Sequence, residues 1–190
     1  MQFFLNYRGP LPSNGSPKTK HDLRLHFHEQ LAQLWNQKPL NAHIAYIGRT
    51  ATNEAAVRHD GISIVESVGM HHFAPLVTEK LDLICGLAIT MLRPEEPGGL
   101  ISGGDIDNRL KTLFDALSMP PHPNQIPPEA EARPSTDPLL CLLKDDNLIS
   151  SVSVQCDRLL DPSTPAEVIL VIRVSVRATR MTYGNIGISN

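Results

Sequence analysis

The stretch Gly103-Gly-Asp-Ile-Asp-Asn-Arg-Leu-Lys111 gathers more reactive side chains than any other part of this chain. Asp105 is expected at or just before a helix start, Asp107 in the first turn, and Lys111 one turn later on the same face as Asp107. Ile106, Leu110 and Leu113 then point to the core, so two carboxylates and an ammonium share one wet edge. Helix electrostatics alone would favour such residues, and an Asp–Lys pair four apart is worth only ~0.2 to 0.5 kcal/mol. Asp145 and Asp146, set between two apolar runs, would by themselves merely build a turn. In combination the two segments read differently. A sheet packed on the helix would bring that turn over the helix start and gather Asp105, Asp107 and Asp146 around one point. Three hard oxygen donors repel one another unless a cation is held, and Mg²⁺ or Mn²⁺ suits carboxylate and water ligands with a phosphate completing the shell. The implied chemistry is metal-assisted phosphodiester hydrolysis, with a metal-activated water as nucleophile and Lys111 adding positive charge beside the phosphate. Asn108, Asp115 and Asp145 stand as supporting residues.

The elements that must position these groups are legible in part. Phe3, Leu5 and Tyr7 alternate with polar neighbours before Gly9-Pro-Leu-Pro-Ser-Asn-Gly-Ser-Pro17, a short strand running into a loop. Leu23, Phe27, Leu31, Leu34 and Trp35 recur at helical spacing, which predicts a first helix over about 20–37. Residues 39–80 are broken by Gly48, Gly61 and Gly69 and yield only a strand near 61–68. Leu81 to Leu92 reads as a central strand ending at Arg93-Pro94. Ile106, Leu110, Leu113, Phe114 and Leu117 predict a second helix over about 106–118. Residues 119–138 hold seven prolines, too many for a helix or a central strand. The runs 139–143 and 148–156 around Lys144-Asp-Asp-Asn147 read as two strands joined by a tight turn. Val168, Leu170, Ile172, Val174 and Val176 mark a last strand with one face partly wet. The order predicts an α+β fold, a mixed sheet with helices packed against it, in one domain with insertions at 39–72 and 119–138.

The formal charge of -3 and pI of about 6.2 give no sign of a polyanion binder in the total. The distribution is uneven. Residues 1–50 carry six basic groups against two acidic ones, and 93–150 carry ten acidic against five basic. Lys18, Lys20, Arg24 and Arg109 are the candidate nucleic-acid contacts, with His21, His26 and His28 on the same polar face. Cys85, Cys141 and Cys156 lie far apart in apolar runs and read as reduced core thiols of a cytoplasmic protein. No apolar run approaches 18 residues, and the opening residues lack the pattern of a signal peptide, so no membrane partner is expected.

Asp105-x-Asp107-Asn108-x-x-Lys111-x-x-x-Asp115-Ala-Leu117, followed by Asp145-Asp146 and an apolar strand, resembles the RusA-type Holliday junction resolvases. The opening strand with Pro12-Ser-Asn14 and the strand from Leu81 are also similar to that family in outline. The resemblance implies a homodimer with an α/β fold that binds four-way DNA junctions and makes paired nicks with Mg²⁺, in DNA recombination or repair. Carried over, Asp105, Asp107 and Asp146 would be the metal carboxylates and Lys111 the catalytic cation, with Asn108 and Asp115 in support. The sequence departs from the family's pattern in three places. Ile101-Ser-Gly-Gly104 stands where members carry basic residues, the proline-rich stretch lengthens the interval before the Asp pair, and 39–72 is expanded. A fold retained for binding or assembly without the reaction, and a nuclease for another nucleic acid, are the alternatives.

Other chemistries are less well served. His26-Phe-His28 and His71-His72 lack Cys-x-x-Cys or His-x-x-x-His spacing for zinc, although His71 or His72 could approach the metal site. The glycine pairs 98–99 and 103–104 lack the Lys-Ser/Thr ending of a phosphate-binding loop. Trp35 falls at helical spacing with Leu31, a core position. No nucleophile–histidine–carboxylate set can be assembled.

Overall fold

Strict alternation in Glu167–Ala178 makes a strand with one dry face. Val168, Leu170, Ile172 and Val174 are fully buried and Val176 nearly so, while Val171, Arg173 and Arg177 face solvent. This last strand, β7, takes β1 (Gln2–Pro10) on one side and β4 (Leu83–Arg93) on the other, both antiparallel. β6 (Ile149–Arg158) adds parallel to β4 and gives a four-stranded mixed sheet in the order β1-β7-β4-β6. A second mixed sheet has three strands in the order β2-β3-β5, comprising Glu66–Val68, His71–Val77 and Leu139–Leu143. The computed structural model describes residues 1–48, 61–95, 105–128 and 137–189, and of Asp105 the backbone alone.

Helix α1 (Pro17–Trp35) starts where the Ser16 hydroxyl accepts the Thr19 amide at 3.2 Å and Pro17 supplies a preset φ. Its stripe of Leu23, Phe27, Leu31 and Trp35 is buried in the main core. Helix α2 (Asp105–Leu117) buries Leu113, Ala116 and Leu117 and packs on α1 and β5. One core cluster runs through both sheets and both helices. The fold is therefore α+β with helices packed on mixed sheets, as the pattern of elements predicts.

Two expectations change. The runs flanking the Asp pair do not form a hairpin, because β5 and β6 belong to different sheets. Leu140, Leu142 and Leu143 are buried to 1 % exposure or less and suit an interior position, whereas β6 is serine-rich and mostly exposed. The chain must change sheets between them, and a single 3₁₀ turn at Asp146–Leu148 carries it across. β3 is the other surprise. Its Pro75 lies in the paired segment opposite Cys141, a residue type that argues against a central strand. The two-residue turn before it uses Gly69 at φ +62, as a tight hairpin requires.

Part of the proline-rich stretch is ordered against the second sheet. Ile126 packs with Val68, Phe73 and Cys141 in a small separate core. Cys85 and Cys141 are buried, Cys156 is half-buried, and all three are free thiols. No helix among the described residues is long and apolar enough to cross a membrane.

Candidate functional site

The backbone of α2 begins at Asp105, in line with the expected helix start; the Asp105 side chain and residues 96–104 lie outside the described residues. Asp107 and Lys111 are exposed on the helix, and among the described residues neither is engaged in an ion pair. A simple surface pair four residues apart is thus not what these two groups form. Asn108 is half-buried beside them.

The Asp145–Asp146 turn is built by its own first residue. The Asp145 carboxylate accepts the Asn147 amide at 2.8 Å and caps the 3₁₀ turn, leaving Asp146 exposed. The expectation was that this turn lies over the start of α2. Just before the turn, at the end of β5, Leu143 O accepts the Met119 amide at 2.9 Å and Leu143 forms a bridge with Ser118, the two residues that follow α2. Among the described carboxylates, Asp115 on α2 adds its charge to Asp146. Asp146 is held above the ordinary aspartate value, first by desolvation, then by Asp145 and by the charge of Asp115. Among the described residues no three His, Cys, Asp or Glu side chains already gather at metal-ligand spacing. Of the three expected metal carboxylates, the two whose side chains are described, Asp107 and Asp146, are both exposed and offer hard oxygen donors.

Asp115, expected only as support, is tied to the basic segment. Lys20 Nζ lies 2.7 Å from its carboxylate, both side chains partly buried. The start of α1 is seated directly on α2: the Gly15 amide donates to Thr112 Oγ1 at 3.0 Å, and a Cβ at Gly15 would lie 2.5 Å from Thr112 Cγ2. This docking brings the N-terminal cations against the acidic helix.

The candidate nucleic-acid contacts divide accordingly. Lys18 is exposed. Lys20 is paired with Asp115. Arg24 requires correction, because it is 2 % exposed and its guanidinium donates to Ser118 O at 2.9 Å and Asp115 O at 2.7 Å. It closes the C-terminal carbonyls of α2, the groups a helix end leaves unsatisfied. Arg109 donates to Leu11 O at 2.8 Å and lies 3.5 Å from Glu95. The sequence holds a signal for Arg24: it falls three residues before Phe27 and seven before Leu31, inside the buried stripe. Nothing in the spacing foretells the Gly15–Thr112 seat.

The histidines are structural rather than a solvent face. His21 is buried, His26 bonds Asn6 O at 3.0 Å, and His28 Nδ1 accepts the Leu140 amide at 2.9 Å. His71 and His72 open β3, whose parallel register sets Phe73 beside Leu139 and Val77 beside Leu143. They therefore sit at the end of the sheet remote from Asp146, roughly 20 Å away by strand rise.

No protein-family model matches the chain, and neither does any curated protein or solved structure.

Proposed function

We propose that this chain is a divalent-metal-dependent endonuclease of branched DNA, acting as a homodimer in the manner of the RusA-type resolvases that its motif resembles. The observation that carries the proposal is that Asp107 and Lys111 stand exposed on α2 and, among the described residues, make no ion pair, while the exposed Asp146 carboxyl is held above its ordinary value by desolvation, by Asp145 and by the charge of Asp115 on the same helix. Asp107 and Asp146, with Asp105, would hold Mg²⁺ or Mn²⁺. A bound ion of this kind supplies an activated water and neutralises charge on the phosphate. Lys111 adds a cation on the same helix face, and Asp145 fixes the turn that presents Asp146. Incubation with a labelled four-way junction and Mg²⁺ or Mn²⁺ tests the reading. Nicking is expected, with a loss of at least ~100-fold in Asp107→Asn. Equal product from both proteins on junction, flap, single-stranded and RNA substrates would refute it, and cleavage confined to RNA would reassign the substrate.

A second reading is a non-catalytic binding or assembly protein with the same fold. It is favoured by the internal use of the basic groups: Arg24 and Arg109 donate to backbone carbonyls, and Lys20 is paired with Asp115. Calorimetric titration with Mg²⁺ separates the two. Binding lost in Asp107→Asn supports the enzyme, and identical blank titrations support the inert scaffold.

A further inference from the structure

One face of the four-stranded sheet is dry and meets the helices in the main core; the other is turned to solvent. Alternation fixes what stands on the outer face, and the strand register arranges it in rows. Phe4, Arg173, Ala88 and Ser153 lie side by side across the sheet. Val171, Thr90 and Gln155 follow in the next row. Between these rows the surface holds a depression of about 370 Å³, inside the range of roughly 300 to 1,000 Å³ in which small-ligand sites fall. Ala88 is its floor, with longer side chains on the strands to either side.

Three observations set this depression apart from an ordinary wet sheet face. Arg173 lines it, and among the described residues its guanidinium makes no ion pair and no hydrogen bond. No carboxylate lines it; Asp157, the acidic residue of this face of β6, stands further along, beside Leu92. The Thr90 and Ser153 hydroxyls and the Gln155 amide line the same space, also without a described hydrogen-bond partner. The apolar part of the wall is uncovered, with Phe4 64 % and Val171 40 % exposed.

We propose that this depression binds a phosphate monoester carried on a flat apolar ring. The charge calls for an anion, because an uncommitted guanidinium with no carboxylate in reach is complementary to an oxyanion and grips it through two parallel N–H donors. The three further polar side chains favour phosphate over carboxylate, since a phosphate monoester presents three terminal oxygens and a carboxylate two. Seated over Ala88, the phosphate has Arg173 on the neighbouring strand to one side and Ser153 on the neighbouring strand to the other, each about 5 Å away across the sheet. Val171 and Phe4 then offer the ring its apolar contact. Arg177, on the same face of β7, adds to the local positive field although the chain as a whole is acidic. The site lies across the sheet from the core that holds α2 and uses neither Asp107 nor Asp146, so it does not rest on the nuclease reading.

Titration of the full chain with phenyl phosphate, followed by amide nuclear magnetic resonance, tests the proposal. Saturable shifts confined to the four outer strands are expected, with Kd of about 1 mM. Arg173→Gln should weaken binding at least ~tenfold, and Ala88→Leu, which fills the floor, should abolish it. Phe4→Ala should weaken phenyl phosphate severalfold and leave inorganic phosphate unchanged. Phenol should not bind, and benzoate should bind more weakly than phenyl phosphate. Circular dichroism of each variant checks that the sheet is retained. Absence of saturable shifts up to ~20 mM overturns the proposal, and so does binding indifferent to Arg173→Gln. Inorganic phosphate binding as tightly as phenyl phosphate would reduce the site to an adventitious ion only, and benzoate binding more tightly would overturn the choice of phosphate. Junction cleavage, measured separately, does not enter any of these outcomes.

Discussion

At the scale of single residues, the informative group is Asp146. Its carboxyl is held above the ordinary value by desolvation and by Asp145 and Asp115. The folded chain therefore binds more protons than the unfolded chain between the usual value of 3.8 and the raised one. Stability contributed by this group falls as pH rises through that window, and at neutral pH its ionised form is a net cost. Asp146→Asn should leave the metal-free protein as stable as before or raise its melting temperature at pH 7, by no more than ~2 °C given solvent screening. The difference should vanish below the ordinary aspartate value, and added Mg²⁺ should stabilise the unsubstituted chain more than the variant. Thermal unfolding with and without Mg²⁺ reads both, and a clear fall in melting temperature without metal would show that Asp146 is structural. Asp107 and Lys111 were legible in the sequence because helical periodicity fixes which positions are wet. Asp115 was not, since charge alone does not show whether a group meets water, a carbonyl or another side chain, and the one sign for Arg24 is its place in the buried stripe of α1.

At the scale of elements, the two helices are joined at Gly15, where nothing larger than hydrogen fits against Thr112. Gly15→Ala should cost about 1 to 3 kcal/mol through overpacking, a drop of several degrees in melting temperature. Thr112→Ser removes the obstructing methyl and keeps the hydroxyl that accepts the Gly15 amide, so in the double variant most of the loss should return. An additive double variant would place the strain elsewhere. Elements with a strong period, namely β7, α1 and α2, could be read from the chain because their buried faces are written in it. β3 was hidden by Pro75 and by its lack of alternation. The separation of β5 from β6 was hidden for another reason: which strand a given strand pairs with depends on distant segments, and the turn between them looks the same in a hairpin as in a crossing between sheets.

At the scale of the whole molecule, one core cluster links both sheets and both helices, so the described elements should lose their structure together. Cys85 lies in the main core and Cys141 in the small one, and burial pushes both thiols up to about 12. Neither should react with a thiol reagent at pH 8 in the native protein. Across a urea gradient both should become reactive in a single transition that coincides with loss of the far-ultraviolet dichroism, and earlier exposure of Cys141 would mark the second sheet as a separate unit. The end of α1 adds an optical consequence. Trp35 is the chain's one tryptophan; it is fully buried, and its indole N–H has no hydrogen-bond partner among the described residues. Its emission should therefore lie far to the blue, resist iodide quenching and shift red when the core opens, a built-in lamp for the interior.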